Sequence, residues 1–198
     1  MNTRARKTVK LSLLTICAIL SLACASQESK TSGGTPVLSG PPNTMYPMPP
    51  AGTGASAIEM GWTLPDGNRM KLSDFRGQVL VLDFYATWCV PCRQSIPHLI
   101  ELQQRTGSQG LQVVGLNVGG PDDRVKVPAF ANELNIHYPL GFPDKSLSDF
   151  FLSDADAIPQ TFVFDRNGQL VKRFIGFDDS TAHHLEQAAQ SALLSVWE

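Results

Sequence analysis

A chain of 198 residues with 42% hydrophobic content is long enough for one domain with a substantial core. All 18 acids lie beyond the basic N-terminus; without Arg4, Arg6, Lys7 and Lys10, Lys+Arg falls from 16 to 12 and the remainder carries about −6. That balance argues against a nucleic-acid partner.

Met1 to Lys10 is basic and acid-free, and Leu11 to Ala23 is apolar. This order predicts an export signal. The apolar run, which includes Cys17, is shorter than the ~20 residues of a membrane-spanning helix. Two processing routes fit. Ser21-Leu22-Ala23-Cys24 is similar to a bacterial lipoprotein box, with Ser21 where leucine is usual, and would put a lipid on Cys24. Ala23-Cys24-Ala25 is also an A-x-A-like site, which would release a soluble protein cleaved after Ala25. A polar tether behind Cys24 favours the lipid. The expected organisation is a signal peptide over 1–24, a flexible Gly/Pro/Ser-rich tether over 25–57, and a folded domain over 58–198.

In the domain, Ile58 to Thr63 and Asn68 to Leu72 read as short strands around Pro65-Asp66-Gly67. Ser73 to Gly77 reads as a turn or helical fragment. Val79 to Tyr85 reads as a buried strand, followed by Trp88-Cys89-Val90-Pro91-Cys92 and a helix from Arg93 to about Thr106. The inner side of that helix holds Cys92, Ile96, Leu99, Ile100 and Leu102, and Gly107 and Gly110 end it. Leu111 to Val118 reads as a second strand, parallel to the first through the helical crossover. Gly119 to Asp123 reads as a loop. Val127 to Leu134 reads as a helix with Pro128 in its first turn, Tyr138 to Gly141 as a short strand, and Ser146 to Leu152 as a short helix. Gln160 to Phe164 and Gln169 to Ile175 flank Asp165-Arg166-Asn167-Gly168, a hairpin signal. Thr181 to Leu194 closes the chain as an amphipathic helix. This order predicts an α/β fold, a mixed sheet with helices on both faces.

Cys89 and Cys92 fall on one helical face at a strand-to-helix junction, the setting of a redox C-x-x-C motif. Orphan N–H groups and the helix dipole favour negative charge at the first cysteine. They lower its thiol pKa below the free value of ~8.5. Cys89 is then the attacking thiolate, and Cys92, about one turn deeper, resolves the mixed disulfide. A zinc site would need a second Cys/His pair at ligand spacing, and none is present in the sequence. A structural bridge this short would staple little chain.

Leu72 to Cys92 and Ile158 to Gly168 match, in order, two sequence blocks of the thioredoxin superfamily. Over residues 58 to 198 the chain most resembles the exported TlpA/ResA-type thiol–disulfide oxidoreductases. The resemblance implies a thioredoxin-like fold with an N-terminal β-hairpin extension and an inserted segment, Tyr138 to Leu152, before a cis-proline at Pro159. Proline is the one residue for which cis costs little. The backbone at Ile158 would pair with an extended client, with Trp88 and Pro91 completing the docking surface. Pro97 matches the proline that kinks the family's active-site helix. Asp83, a lone acid in an apolar strand, would lie buried under the disulfide with a raised pKa and accept the Cys92 proton. The sequence departs from the pattern in two places. The strand Val113 to Val118 has no lysine to accompany the acid, and Ser95 stands where many relatives carry glutamate.

His98, His137, His183 and His184 lack ligand or triad spacing, and Asp122-Asp123 and Asp154/Asp156 read as loop solvation and helix capping. The expected protein is an exported, lipid-tethered oxidoreductase of protein disulfides or dithiols, with Cys89–Cys92 as its redox group and no metal or other cofactor. Val90-Pro91 offers no histidine to stabilise the thiolate, so the disulfide is harder to reduce. This predicts a reductant fed by a membrane electron donor. Two rival classes fit less well. A peroxiredoxin needs Thr or Ser three residues before its cysteine, whereas Thr87 stands two before Cys89 and five before Cys92. A copper-handling chaperone usually adds a histidine ligand and wider cysteine spacing.

Overall fold

The structure, a computed structural model, describes residues 59–195. The signal, Cys24 and the tether lie outside the described residues. Seven strands form one mixed sheet: β1 (Gly61–Thr63), β2 (Arg69–Lys71), β3 (Val79–Tyr85), β4 (Leu111–Asn117), β5 (Leu140–Pro143), β6 (Gln160–Phe164) and β7 (Leu170–Ile175), in the order β2-β1-β5-β4-β3-β6-β7. β3, β4 and β5 run parallel, β6 lies antiparallel beside β3, and β7 lies antiparallel beside β6. The β1–β2 hairpin extends the sheet at the β5 edge. The helices are α1 (Val90–Thr106), α2 (Pro121–Arg124), α3 (Val127–Glu133), α4 (Lys145–Leu152) and α5 (Asp179–Leu194). No helix among the described residues is long and apolar enough to cross a membrane.

Strand alternation divides the core into two clusters. Val79, Val81 and Tyr85 of β3 pack with Ile96, Leu99 and Leu102 of α1, Phe130 of α3, and Leu185, Ala189 and Ala192 of α5. Leu80, Leu82 and Phe84 face the other way, against Trp62, Phe75, Phe162, Phe164 and, from α4, Leu147 and Phe151. β3 is buried along its whole length, which is why it reads as an unbroken apolar run.

Several boundaries differ from the sequence reading, each for a local reason. Leu72 leaves β2 and opens a 3-10 turn, Leu72–Phe75, in which the Asp74 carboxylate accepts the Lys71 N–H at 2.8 Å. α1 starts at Val90 rather than Arg93, because Cys89 caps it and Pro91 lies in the first turn, where a missing N–H costs nothing. The fifth strand lies two residues further on, at Leu140–Pro143, where Phe142 and Pro143 pair with Thr63 and Trp62 of the extension hairpin. Tyr138 is buried ahead of it without joining it. The stretch read as a loop after β4 contains α2, begun by Pro121.

One end of the sheet is tied by Arg166, in the β6–β7 turn. Its guanidinium donates to the Gly77 carbonyl at 2.9 Å and the Gln109 carbonyl at 3.0 Å, and its own carbonyl accepts the Gly77 N–H. Gly110 turns there at φ +89°, a conformation other residues rarely adopt. The carboxyl end of β3, the start of α1 and the start of β6 converge at the opposite end.

Candidate active site

At that opposite end, Cys89 and Cys92 form a disulfide with Cα atoms 5.3 Å apart. Cys89 occupies the N-cap of α1, and its Sγ accepts the Cys92 N–H at 3.2 Å, as a serine or aspartate oxygen does at an ordinary cap. The sulfur therefore sits against an orphan N–H at the positive end of a long helix, the environment that stabilises a thiolate once the bond is reduced. Cys92 is fully buried, whereas Cys89 retains 4% exposure. Around them Trp88 and Val90 stand out at 64% and 65% exposure, with Pro91 also exposed. Pro97 lies inside α1, on its exposed side.

The second wall is the segment before β6. The Ile158–Pro159 bond is cis, and the Ile158 carbonyl oxygen lies 3.6 Å from Cys89 Sγ. In the disulfide the sulfur has no hydrogen to give, so this is a packing contact. The Pro159 carbonyl accepts the Gly176 N–H at 2.8 Å, fixing the strip to the end of β7.

Asp83 is completely buried on the α1 side of β3. Oδ1 accepts the Thr161 hydroxyl at 2.7 Å, while Oδ2 has no partner. Burial pushes the carboxyl up to about 7 against the smaller opposing effect of Thr161. Burial also raises the phenols of Tyr85 and Tyr138, and the Asp83 charge adds to both. Ser95 is buried too, and its hydroxyl donates to the Cys92 carbonyl at 3.0 Å, a bond along the helix.

The sequence reading missed Asp123. Read as a solvated loop residue, it is buried at 2% exposure. Its carboxylate accepts the Thr87 N–H at 2.9 Å, the Thr87 hydroxyl, and the Asn117 amide at 2.8 Å. Burial raises its carboxyl, but these bonds outweigh burial and hold it below the ordinary range. A Cβ on Gly119 would collide with this carboxylate, so glycine is needed there. Asp123 thus ties the residue two before Cys89 to the end of β4. The nearest signal in the sequence was Gly-Gly-Pro before the acid pair. Asp154 is likewise not a cap: it pairs with Arg173 at 2.8 Å. Among the described residues no three His, Cys, Asp or Glu side chains gather as a metal site.

The AhpC/TSA family model matches residues 53–173. The chain belongs to the AhpC/TSA family. It is 30% identical over 145 residues to the thiol-disulfide oxidoreductase ResA of Geobacillus kaustophilus, covering 68% of this chain and 80% of the relative. It is also 30% identical over 112 residues to ResA of Bacillus subtilis, covering 56% and 60%. A solved thioredoxin family thiol:disulfide interchange protein from Chlorobium tepidum TLS superposes with a TM-score of 0.60 at 26% identity, over 69% of this chain and 94% of that one. The chain shares their thioredoxin-like fold and is a thiol–disulfide oxidoreductase.

Proposed function

We propose that this protein is an exported reductant of protein disulfides, held at a membrane by a lipid on Cys24. The observation that carries the redox reading is the Cys89–Cys92 pair at a helix cap, rimmed by exposed Trp88 and Val90 and faced by the Ile158 carbonyl. In the cycle, a dithiol donor first passes two electrons to the disulfide. Cys89 thiolate then attacks a client disulfide, a mixed disulfide forms, and one client thiolate leaves. Cys92 gives its proton to Asp83 and attacks Cys89 Sγ. The second client thiolate leaves, the Cys89–Cys92 bond re-forms, and the client has gained two electrons. Trp88, Pro91, Ile158 and Pro159 form the surface on which an extended client segment lies.

The reductive direction rests on Val90-Pro91, which brings no cationic side chain to the thiolate. Reduced full-length protein mixed with oxidised insulin tests it. Insulin thiols should form in step with Cys89–Cys92 oxidation. Failure to reduce insulin, together with rapid oxidation of a reduced peptide by the disulfide form, would reverse the direction. Anchoring is read separately: Cys24→Ala should shift the protein from the membrane to the soluble fraction or block its maturation. An unmodified mature N-terminus at Ser26 would remove the lipid.

A further inference from the structure

We infer that Gln160 and Arg173 are positioning residues that hold the Ala155–Ile158 segment in the shape a client backbone meets. The inference rests on the docking role proposed for Ile158.

Gln160 is fully buried at the start of β6, directly after the cis-proline. Its Nε2 donates to two carbonyls of the preceding segment, Ala155 and Ala157, each at 2.8 Å. Its Oε1 accepts from Arg173 Nε at 3.0 Å and Nη2 at 2.6 Å. The third arm of the guanidinium pairs with Asp154, just before the same segment, and its central carbon lies 5.3 Å from the Phe162 ring centroid. This network permits one orientation of the amide. Flipped, the oxygen would meet two carbonyl oxygens and the NH2 would meet the guanidinium. Arg173 thus dictates which way Gln160 points, and Gln160 turns the Ala155 and Ala157 carbonyls inward. The next carbonyl along, Ile158, is the one left facing Cys89 Sγ. Any buried amide needs partners at both ends; what is particular here is where the bonds go. Here both amide hydrogens go to the strip beside the disulfide, and Arg173 anchors it from β7.

The test uses the full chain, with dithiothreitol as electron source and insulin as protein disulfide. The small disulfide 5,5′-dithiobis(2-nitrobenzoate), which needs no backbone docking, is mixed instead with full chain pre-reduced and freed of dithiothreitol, since that dithiol reduces it directly. Gln160→Glu keeps the size and the Arg173 partner but sets an oxygen against two carbonyl oxygens. The insulin KM should rise roughly tenfold, the scale of one buried hydrogen bond. kcat and the rate with the small disulfide should stay within about twofold. Arg173→Lys keeps the charge beside Asp154 and loses the fork, so the KM should rise about threefold; this variant decides the matter if Gln160→Glu does not fold. Hydrogen–deuterium exchange over residues 153–158 should speed up in both. An unchanged insulin KM overturns the inference. So does an equal loss on insulin and the small disulfide, which marks damage at the cysteines. If the wild type reacts with the small disulfide but never reduces insulin, the functional reading fails instead. Exchange then decides the positioning: faster in the variants upholds it, and unchanged refutes it.

Discussion

The two faces of the sheet divide the labour. The face under α4 is aromatic: Phe151 packs against the rings of Phe84, Phe150, Phe162 and Phe164 at centroid distances of 4.8 to 6.0 Å. The face under α1 carries Asp83, Ser95, Asn117 and Thr161 among its buried side chains, and Asp83 Oδ2 lacks a partner. On the α4 face the buried polar side chain of β6 is Gln160, and it too serves the strip beside Cys89. Aromatic packing is concentrated on one face, and most of the polar burial, with its energetic cost, on the face where the redox chemistry is proposed.

The largest effect expected is at the disulfide. Cys89→Ser should abolish exchange, and Cys92→Ser should accumulate mixed disulfides through Cys89, visible as adducts on non-reducing gels. Faster alkylation of Cys92 than of Cys89 in the reduced protein would reverse the assignment.

On the aromatic face, Phe151→Ala should cost about 3–5 kcal/mol of stability, from lost burial plus the cavity left behind. The rate with a small disulfide at 25 °C should not change. Denaturant midpoints and that rate, measured together, check it; a matching fall in rate would dissolve the distinction between the faces.

Asp83→Asn gives a pH-dependent effect on stability of opposite sign. With the folded carboxyl raised to about 7 and the unfolded one at 3.8, the folded state binds the extra proton. The wild type should therefore lose stability as pH rises from about 4 to 7 and level off above, a loss on the order of 4 kcal/mol. The variant should lack this loss and be the more stable form at pH 8, by urea midpoint. It should also resolve mixed disulfides roughly a hundredfold more slowly, having lost its proton acceptor. Equal rates across the pH range would remove Asp83 from the mechanism.

How far the sequence could be read follows the same division. β3 and α1 were legible because their causes are local: an unbroken apolar run, a C-x-x-C, and a 3.6-residue apolar stripe. Asp83 was legible because its neighbours in sequence are apolar. Asp123 was not, because Thr87, 36 positions away, turns an exposed-looking loop acid into a buried anchor. Gln160 and Arg173 read as strand residues, since their meeting depends on the pairing of β6 with β7. The fifth strand lies further on than its local pattern suggests because Phe142 and Pro143 are recruited by pairing with Thr63 and Trp62, partners distant in sequence.

The Arg166 tie at the far end of the sheet has a consequence for engineering. By exposure, Asn167 and Gly168 invite a peptide insertion, the usual choice for a hairpin tip. Yet the neighbouring guanidinium fastens the entry to β3 and the exit from α1, so the tip behaves as a keystone. The turn at Pro65–Asn68 is the better graft point. Its hydrogen bonds run among Leu64, Asp66, Gly67 and Asn68, and it hangs from the outermost strand pair. A cargo placed there leaves the frame that carries the disulfide untouched.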